Sequence, residues 1–381
     1  MGNSITLICT AGTSLFNKFR NIDIDDDKLT PSRKESKKHL ADNNLIGFSK
    51  SLLKEKQGDE ILGAEICSIH HIIQSTRTGS PANIIFLVSD TEEGRATGEA
   101  LSRYFNDSGY NIQGEKKFAT YEIIEKLDDR NPWEFKNTGL RNLIKKISGK
   151  VQALGRENVI INATGGYKAQ ILFAGVLGQS LGIPVYYLFE KFNEIIELPP
   201  QPVSFDPDFW LENQNIFFAL ARTGYVGKEF SENWFNSKDP RFETLITAEK
   251  ENDSLWLMLS PTGEIFHQMF RLKYLSDNVQ LPVKSDIKDN PLIGEHHMPE
   301  GIKHYLTKIT EKYPFIVRCI TISLGKKAPE KLFRLSSNNN KEEITGSYYN
   351  GFAVNFVIHT TAKNREEMIK AVVHMNDTWD I

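Results

Sequence analysis

Three short stretches hold residue types suited to gripping phosphate: Thr10-Ala11-Gly12-Thr13-Ser14-Leu15, Ser89-Asp90-Thr91 and Asn162-Ala163-Thr164-Gly165-Gly166-Tyr167-Lys168. Glycines let backbone N–H groups come close to an anion, and a helix that starts at the end of such a loop adds the positive end of its dipole. Threonine and serine hydroxyls add donors, and Lys168 adds a charge. Neither glycine loop ends in the Gly-Lys-Ser/Thr of a Walker A motif, and neither is the dinucleotide GxGxxG. Taken singly, each loop reads equally well as a tight turn.

A second set of chemistry-bearing residues lies far along the chain. Arg334, Tyr348, Tyr349, His359, Lys363 and Arg365 fall on or just after strand-like runs. Residues 303–341 carry nine Lys/Arg against two Asp/Glu, in a chain whose net charge is −3. A local basic stretch of this kind can meet phosphates without making the whole protein basic. Plainer readings stand beside this one. Arg334 and Lys363 suit a solvated surface, His359 on an apolar strand suits a core histidine, and of Tyr348 and Tyr349 one should face the core.

The elements that must place these residues follow from periodicity. Ser4–Cys9, Asn83–Val88, Val159–Ile161 and Pro184–Phe189 are short apolar strands. Helical spacing marks 57–76, Thr97–Tyr104, Asn137–Leu154 and Ala169–Leu181. Near-continuous apolar strands alternating with helices predict a parallel sheet covered on both faces. All three phosphate-suited loops then leave strands at their carboxyl ends, where open α/β sheets bind ligands. Residues 20–50 read as a charged, partly helical insertion. Leu198-Pro199-Pro200-Gln201-Pro202 is a stiff boundary. The aromatic-rich segment 208–271 suits a small winged-helix-like connector, with Pro261-Thr262-Gly263 as a turn. Beyond it a helix (Gly301–Lys312), strands at 315–324, 332–335, 344–349 and 352–359, and a helix (Asn364–Met375) predict a small α+β domain. The expected division is 1–200, 201–280 and 281–381.

A first strand ending in Thr-x-Gly-Thr-Ser, with Asn-x-Thr-Gly-Gly-Tyr-Lys about 150 residues later, resembles the CRISPR-associated Rossmann fold (CARF) domains of type III CRISPR effectors. The resemblance implies a homodimer that takes a cyclic oligoadenylate, expected as cyclic tetra-adenylate, across its two-fold axis. Ligand residues would be Thr10, Gly12, Thr13, Ser14, Leu15, Asn17, Ser89, Asp90, Thr91, Asn162, Thr164, Gly165, Gly166, Tyr167 and Lys168. Thr13, Ser14 and Lys168 would orient the phosphate, and Asn17 would either read adenine or remain in solvent. The C-terminal region resembles RelE-type toxins, which cleave messenger RNA on the ribosome without metal. That resemblance implies a cation on the pentavalent phosphorus, an aromatic stacked on a base and a weak base, from among Arg334, Tyr349, His359, Lys363 and Arg365. No first strand and helical hairpin of that family can be aligned.

Other chemistry is poorly supported. Arg33 and His39 have the spacing of a HEPN ribonuclease pair but lie in the charged insertion. Glu249-Lys250-Glu251 reads as a loop, and Glu295-His296-His297 is not HExxH, so neither metal nor cofactor is expected. Cys9, Cys67 and Cys319 suit reduced core positions of a cytoplasmic protein. No run is long enough to span a membrane. Met1-Gly2-Asn3-Ser4-Ile5-Thr6 fits a myristoylation pattern, which a buried first strand argues against. The leading expectation is a cyclic-oligoadenylate-activated ribonuclease that meets RNA on the ribosome. Its rivals are a stand-alone ring nuclease and a CARF-regulated transcription factor, the latter weakened by the acidic balance of 208–271.

Overall fold

The computed structural model describes residues 5–23, 29–74, 81–110, 118–189, 194–198, 205–224, 226–227, 239–251, 254–276, 280–295, 298–325, 333–338 and 341–379. The proline boundary at 199–202, Met1–Ser4, His296, His297, Lys326, Lys327 and Lys331 lie outside them. The chain divides into two compact units, Met1–Val203 and Ser204–Ile381.

The first unit is built on six strands: β1 (Thr6–Thr10), β2 (Asn83–Ser89), β3 (Ala119–Ile124), β4 (Val159–Asn162), β5 (Val185–Tyr187) and β6 (Ile196–Leu198). Their order in the sheet is β3-β2-β1-β4-β5-β6, parallel except for β6 at one edge. Every residue of β1 and β4 is buried, which is why both strands read as unbroken apolar runs. The expected α/β Rossmann-like parallel sheet is therefore present. Chain connections run outward through β2 and β3 on one side of β1, and through β4 and β5 on the other. The direction thus reverses between β1 and β4, and open α/β sheets bind ligands at such a switch point, beyond the strand carboxyl ends.

Helices α1 (Ser14–Arg20), α2 (Pro31–Ala41), α3 (Leu45–Leu52) and α4 (Gly63–Gln74) fill the long connection from β1 to β2. The charged insertion is thus largely helical. Thr30 caps α2 ahead of Pro31, and Arg33 pairs with Glu55 and Asp59, so the Arg33–His39 spacing belongs to a surface helix. α5 (Glu92–Asp107), the single turn α6 (Pro132–Glu134), α7 (Leu140–Leu154) and α8 (Lys168–Leu181) complete the unit. Phe16, Phe19, Phe48, Phe86 and Phe105 anchor its core.

In the second unit, α9 (Pro207–Thr223), the single-turn helix α10 (Arg241–Leu245) and α11 (Pro261–Leu275) pack with strands β7 (Val226–Gly227), β8 (Ile246–Glu251) and β9 (Ser254–Leu259). Two local expectations fail here. Pro261-Thr262-Gly263 is the first turn of α11, not a free turn: Ser260 caps the Gly263 N–H at 2.9 Å and proline occupies the first helical position. Glu249-Lys250-Glu251 is the end of β8, hydrogen-bonded to β9, not a loop. α12 (Ile302–Lys312) and α13 (Arg365–Thr378) cover one face of a four-stranded antiparallel sheet. Its strands are β10 (Ile316–Gly325), β11 (Phe333–Asn338), β12 (Lys341–Asn350) and β13 (Phe352–Thr360), ordered β10-β13-β12-β11.

The segments read as connector and effector share one core. Ile369 and Val373 of α13 join Phe209, Trp210, Phe217 and Phe270 in a single apolar cluster. A buried polar seam runs alongside, in which Asn376 bonds Gln214 and both backbone groups of Phe333. Arg222 reaches the carbonyls of Asn376 and Trp379. The three cysteines are free and buried. No helix among the described residues is long and apolar enough to cross a membrane.

Candidate functional site

The loops after β1 and β4 meet at the switch point, backbone against backbone. A Cβ on Gly12 would lie 2.8 Å from the Gly166 nitrogen, a distance no side chain tolerates, so glycine is required there. Gly166 itself has φ of +100°, a region other residues rarely enter. The glycines thus bring the two loops together, with Gly165 buried and Gly12 and Gly166 half-buried.

Beneath the loops, polar side chains hold them in shape. Thr10 and Asn162 are about 1% exposed and Thr164 is 7% exposed. Asn162 donates to Ser68 Oγ at 2.8 Å, and Thr164 Oγ1 donates to Asn162 Oδ1 at 2.6 Å while accepting the Leu188 N–H at 3.0 Å. Gln170, fully buried, donates to the Leu87 carbonyl and accepts the Tyr167 N–H. Leu15 is wholly in the core. These residues shape the loops from below. Thr13, Tyr167 and Lys168 stand at the rim, with Lys168 exposed at the first position of α8 and Asn17 exposed one turn into α1. Tyr167 is braced edge-on by Phe135, with ring centroids 5.1 Å apart.

The middle loop is committed to its own turn. Ser89 and Thr91 share a hydrogen bond at 2.9 Å, Thr91 caps α5 through Gly94, and Asp90 binds Arg95 and the Lys126 N–H.

One residue of this site was not anticipated. Glu65, on α4, is 1% exposed, and its carboxylate lies under both glycine loops. Oε1 accepts the Gly12 N–H at 2.9 Å and Oε2 accepts the Ser14 hydroxyl at 3.2 Å. A Cβ on Gly165 would stand 2.3 Å from Oε1. Burial pushes its carboxyl above the usual carboxylate range, against the pull of those donors and of the Lys18 charge. The sequence held a signal for it: Glu65 stands four residues after Ile61 and four before Ile69, on the apolar stripe of its helix.

Residues 60–201 match the family model described as CRISPR-associated protein (Cas_APE2256). That span runs from α4 through β6 and includes Glu65 and the loop after β4. Two solved structures are similar at 11% identity over 94% of this chain. One is Can2 from Sulfobacillus thermosulfidooxidans in complex with cyclic tetra-adenylate, with 75% of that chain covered and a TM-score of 0.25. The other is protein VC1899 from Vibrio cholerae, with 78% covered and a TM-score of 0.27.

In the second unit the strand register sorts the remaining candidates. Phe333, Gly346, Phe356 and Thr321 lie opposite one another, as do Leu335, Ile344, Ile358 and Cys319; these two rows face the helices. Arg334, Thr345, Val357 and Ile320 form a row on the other face, and so do Tyr349 with Ala353 and His359 with Arg318. Arg334, Tyr349 and His359 therefore share the face turned away from α12 and α13, and all three are exposed. His359 is not a core histidine. Tyr348 is the tyrosine that turns inward, packed on Tyr305 with its hydroxyl on the Glu300 carbonyl.

The sheet does not gather all these groups at one point. His359 is six residues along β13 from Ala353, the partner of Tyr349, so the two candidates stand roughly 20 Å apart. Arg334 lies two strands across from β13, nearer the His359 end. Lys363 is exposed just before α13, and Arg365 bridges Glu342 and Asp208. Of the basic stretch, Arg318 pairs with Asp289 and Lys312 donates to the Thr378 carbonyl. No cluster of metal-ligating side chains occurs among the described residues.

Proposed function

We propose that this chain is a type III CRISPR effector in which the first unit senses a cyclic oligoadenylate, with cyclic tetra-adenylate as the ligand, and the second unit cleaves RNA. The observation that carries the sensor reading is the meeting of the Gly12 and Gly166 backbones at the switch point of a parallel sheet. A phosphodiester placed there faces the 165–167 backbone, the start of α8 and the rim groups Thr13, Tyr167 and Lys168. Leu172 and Val176 stand 61% and 38% exposed on α8, next to this rim. An apolar face so near the loops favours a second copy of the chain sharing one ligand.

For the effector, Arg334 and His359, on the face turned away from α12 and α13, have the groups that metal-free RNA cleavage needs. The RNA 2′-hydroxyl attacks the adjacent phosphorus and its proton passes to a base. The 5′-oxygen leaves with a proton from an acid, and a 2′,3′-cyclic phosphate remains. A guanidinium stabilises the extra negative charge of the transition state. His359 suits the proton transfers and Arg334 the charge. Tyr349, at the far end of the face, suits stacking on a neighbouring base.

Incubation with translating ribosomes, with and without cyclic tetra-adenylate, tests the proposal. Cleaved messenger RNA with 2′,3′-cyclic or 3′-phosphate ends is expected only with the ligand, and naked-RNA cleavage should survive chelation. Ligand binding without any RNA cleavage would leave the first unit as a stand-alone sensor or ring nuclease.

A further inference from the structure

Glu65 poses a question that the proposed ligand does not answer. Its carboxylate touches the backbone of both loops that flank the crevice, accepting from Gly12 and Ser14 and lying against Gly165. A phosphodiester seated on that same backbone would approach a buried negative charge from above. Two like charges about 6 Å apart in a protein environment repel enough to weaken binding roughly tenfold to a hundredfold. An anion site built over a buried acid is self-defeating unless the acid loses its charge.

We propose that Glu65 is the proton-linked element of this site: an anionic ligand seated on the Gly12 and Gly165–Gly166 backbone binds together with one proton, which the Glu65 carboxylate takes from solvent. The proposal rests on the reading that these loops hold a phosphodiester. The hydrogen bonds rearrange without loss. Gly12 N–H continues to donate to Oε1, now a neutral carbonyl oxygen. Oε2 becomes a hydroxyl and donates to Ser14 Oγ, and the Ser14 hydroxyl, no longer turned down to the carboxylate, donates to a ligand phosphate oxygen. Ser14 thereby becomes a ligand contact only in the protonated, bound state.

Burial lifts the Glu65 carboxyl and so already favours its protonated form. The other titratable or charged groups coupled to it are Lys18 from α1, Cys9 from β1 and Cys67 on α4, and Cys67 in turn feels Asp59 and Glu60 from the turn before α4. Burial pushes both thiols up, Cys67 to about 11, so neither changes charge between pH 6 and 8. The loop after β4 brings no titratable side chain before Tyr167. Phosphodiesters do not titrate in this range.

The test is calorimetry of the full chain with cyclic tetra-adenylate at pH 6, 7 and 8, in two buffers of different ionisation heat. Affinity should fall as pH rises, by up to about tenfold per unit for each Glu65 at the ligand. The buffer dependence of the heat should report uptake of up to one proton per chain. Glu65→Gln keeps the size and offers both an acceptor and a donor. It should bind about tenfold tighter than the parent at pH 8 and lose the pH trend. A glutamate that merely props the loop predicts the reverse, with equal or weaker binding and the trend intact. Should Glu65→Gln fail to fold, as judged by melting, the parent's buffer-dependent heat decides alone. Parent binding with a flat pH profile and no proton uptake overturns the proposal. Absence of parent binding at every pH instead removes the loop site itself.

Discussion

The two candidate sites are built in opposite ways. At the switch point the first unit works with backbone: glycines close two loops onto each other, and buried Asn162, Thr164, Gln170 and Glu65 fix them from beneath. On the face of the second unit's sheet turned away from α12 and α13 the groups are exposed side chains, set along a sheet whose register decides which ones are neighbours. A backbone site fails when its supports change and tolerates loss of a rim residue. A side-chain site should behave the other way round.

The largest effect is expected at Gly165. Gly165→Val places a branched side chain against the Glu65 carboxylate, and overpacking of this kind costs about 3 kcal/mol. Melting of the first unit should fall by several degrees and ligand binding should vanish, while the second unit keeps its own transition. An unchanged melt with normal binding would mean that the loops are not held as described.

A second contrast comes from pH. His70 is buried against Tyr104, and burial lowers its pKa to about 4. The unfolded imidazole takes a proton near pH 6.5 and the folded one only near 4, so stability is full above 6.5 and declines as pH falls between those values. The loss amounts to about 3 kcal/mol at most. His70→Gln should remove most of that acid sensitivity in denaturant melts, and a parent melt that is level from pH 7 to 5 contradicts this account.

On the exposed face, Arg334→Ala and His359→Ala should each lower RNA cleavage about a hundredfold and leave ligand affinity unchanged. Tyr349→Ala should cost less, given its distance from His359. Equal losses at all three positions would mean that RNA spans the whole face, and no loss at any of them would move the chemistry elsewhere. Lys168→Ala should weaken cyclic tetra-adenylate binding by about tenfold or less, because Lys168 is exposed and the backbone carries the site. The smallest effect belongs to Arg365→Ala. Its guanidinium is engaged with Glu342 and Asp208, and an exposed pair of this kind contributes well under 1 kcal/mol, so cleavage should stay near the parent rate.

What the sequence shows and hides follows the same division. The parallel sheet was legible because β1 and β4 are buried on both faces and read as plain apolar runs. The glycine loops were legible because backbone geometry restricts residue type. Glu65 escaped notice because its partners Gly12 and Ser14 lie 53 and 51 residues away, and only the folded chain brings an acid on one helix beneath two loops. Pro261-Thr262-Gly263 misled because proline and glycine mark turns as readily as a capped first helical turn. Alternation along β12 identified a strand with one tyrosine inward, but not which one, since that depends on pairing with β13. The core shared by α9, α11 and α13 left no local trace, because each helix is amphipathic in itself and its partners are distant.

That shared core bears on how the protein comes into being. The first unit has all its strands once residue 198 is made, so it can close while translation continues. The second cannot be finished so early: Phe209, Trp210 and Phe217 pack on Phe266 and Phe270, but their cluster is completed only by Ile369 and Val373, synthesised about 100 residues after Phe270. A polypeptide cut short before residue 365 would carry a finished first unit joined to an incomplete second one, with part of its apolar cluster open to proteases and chaperones. The sheet face that carries Arg334, Tyr349 and His359 would stay incomplete in such a chain, so on the function proposed above a truncated product would not cut RNA.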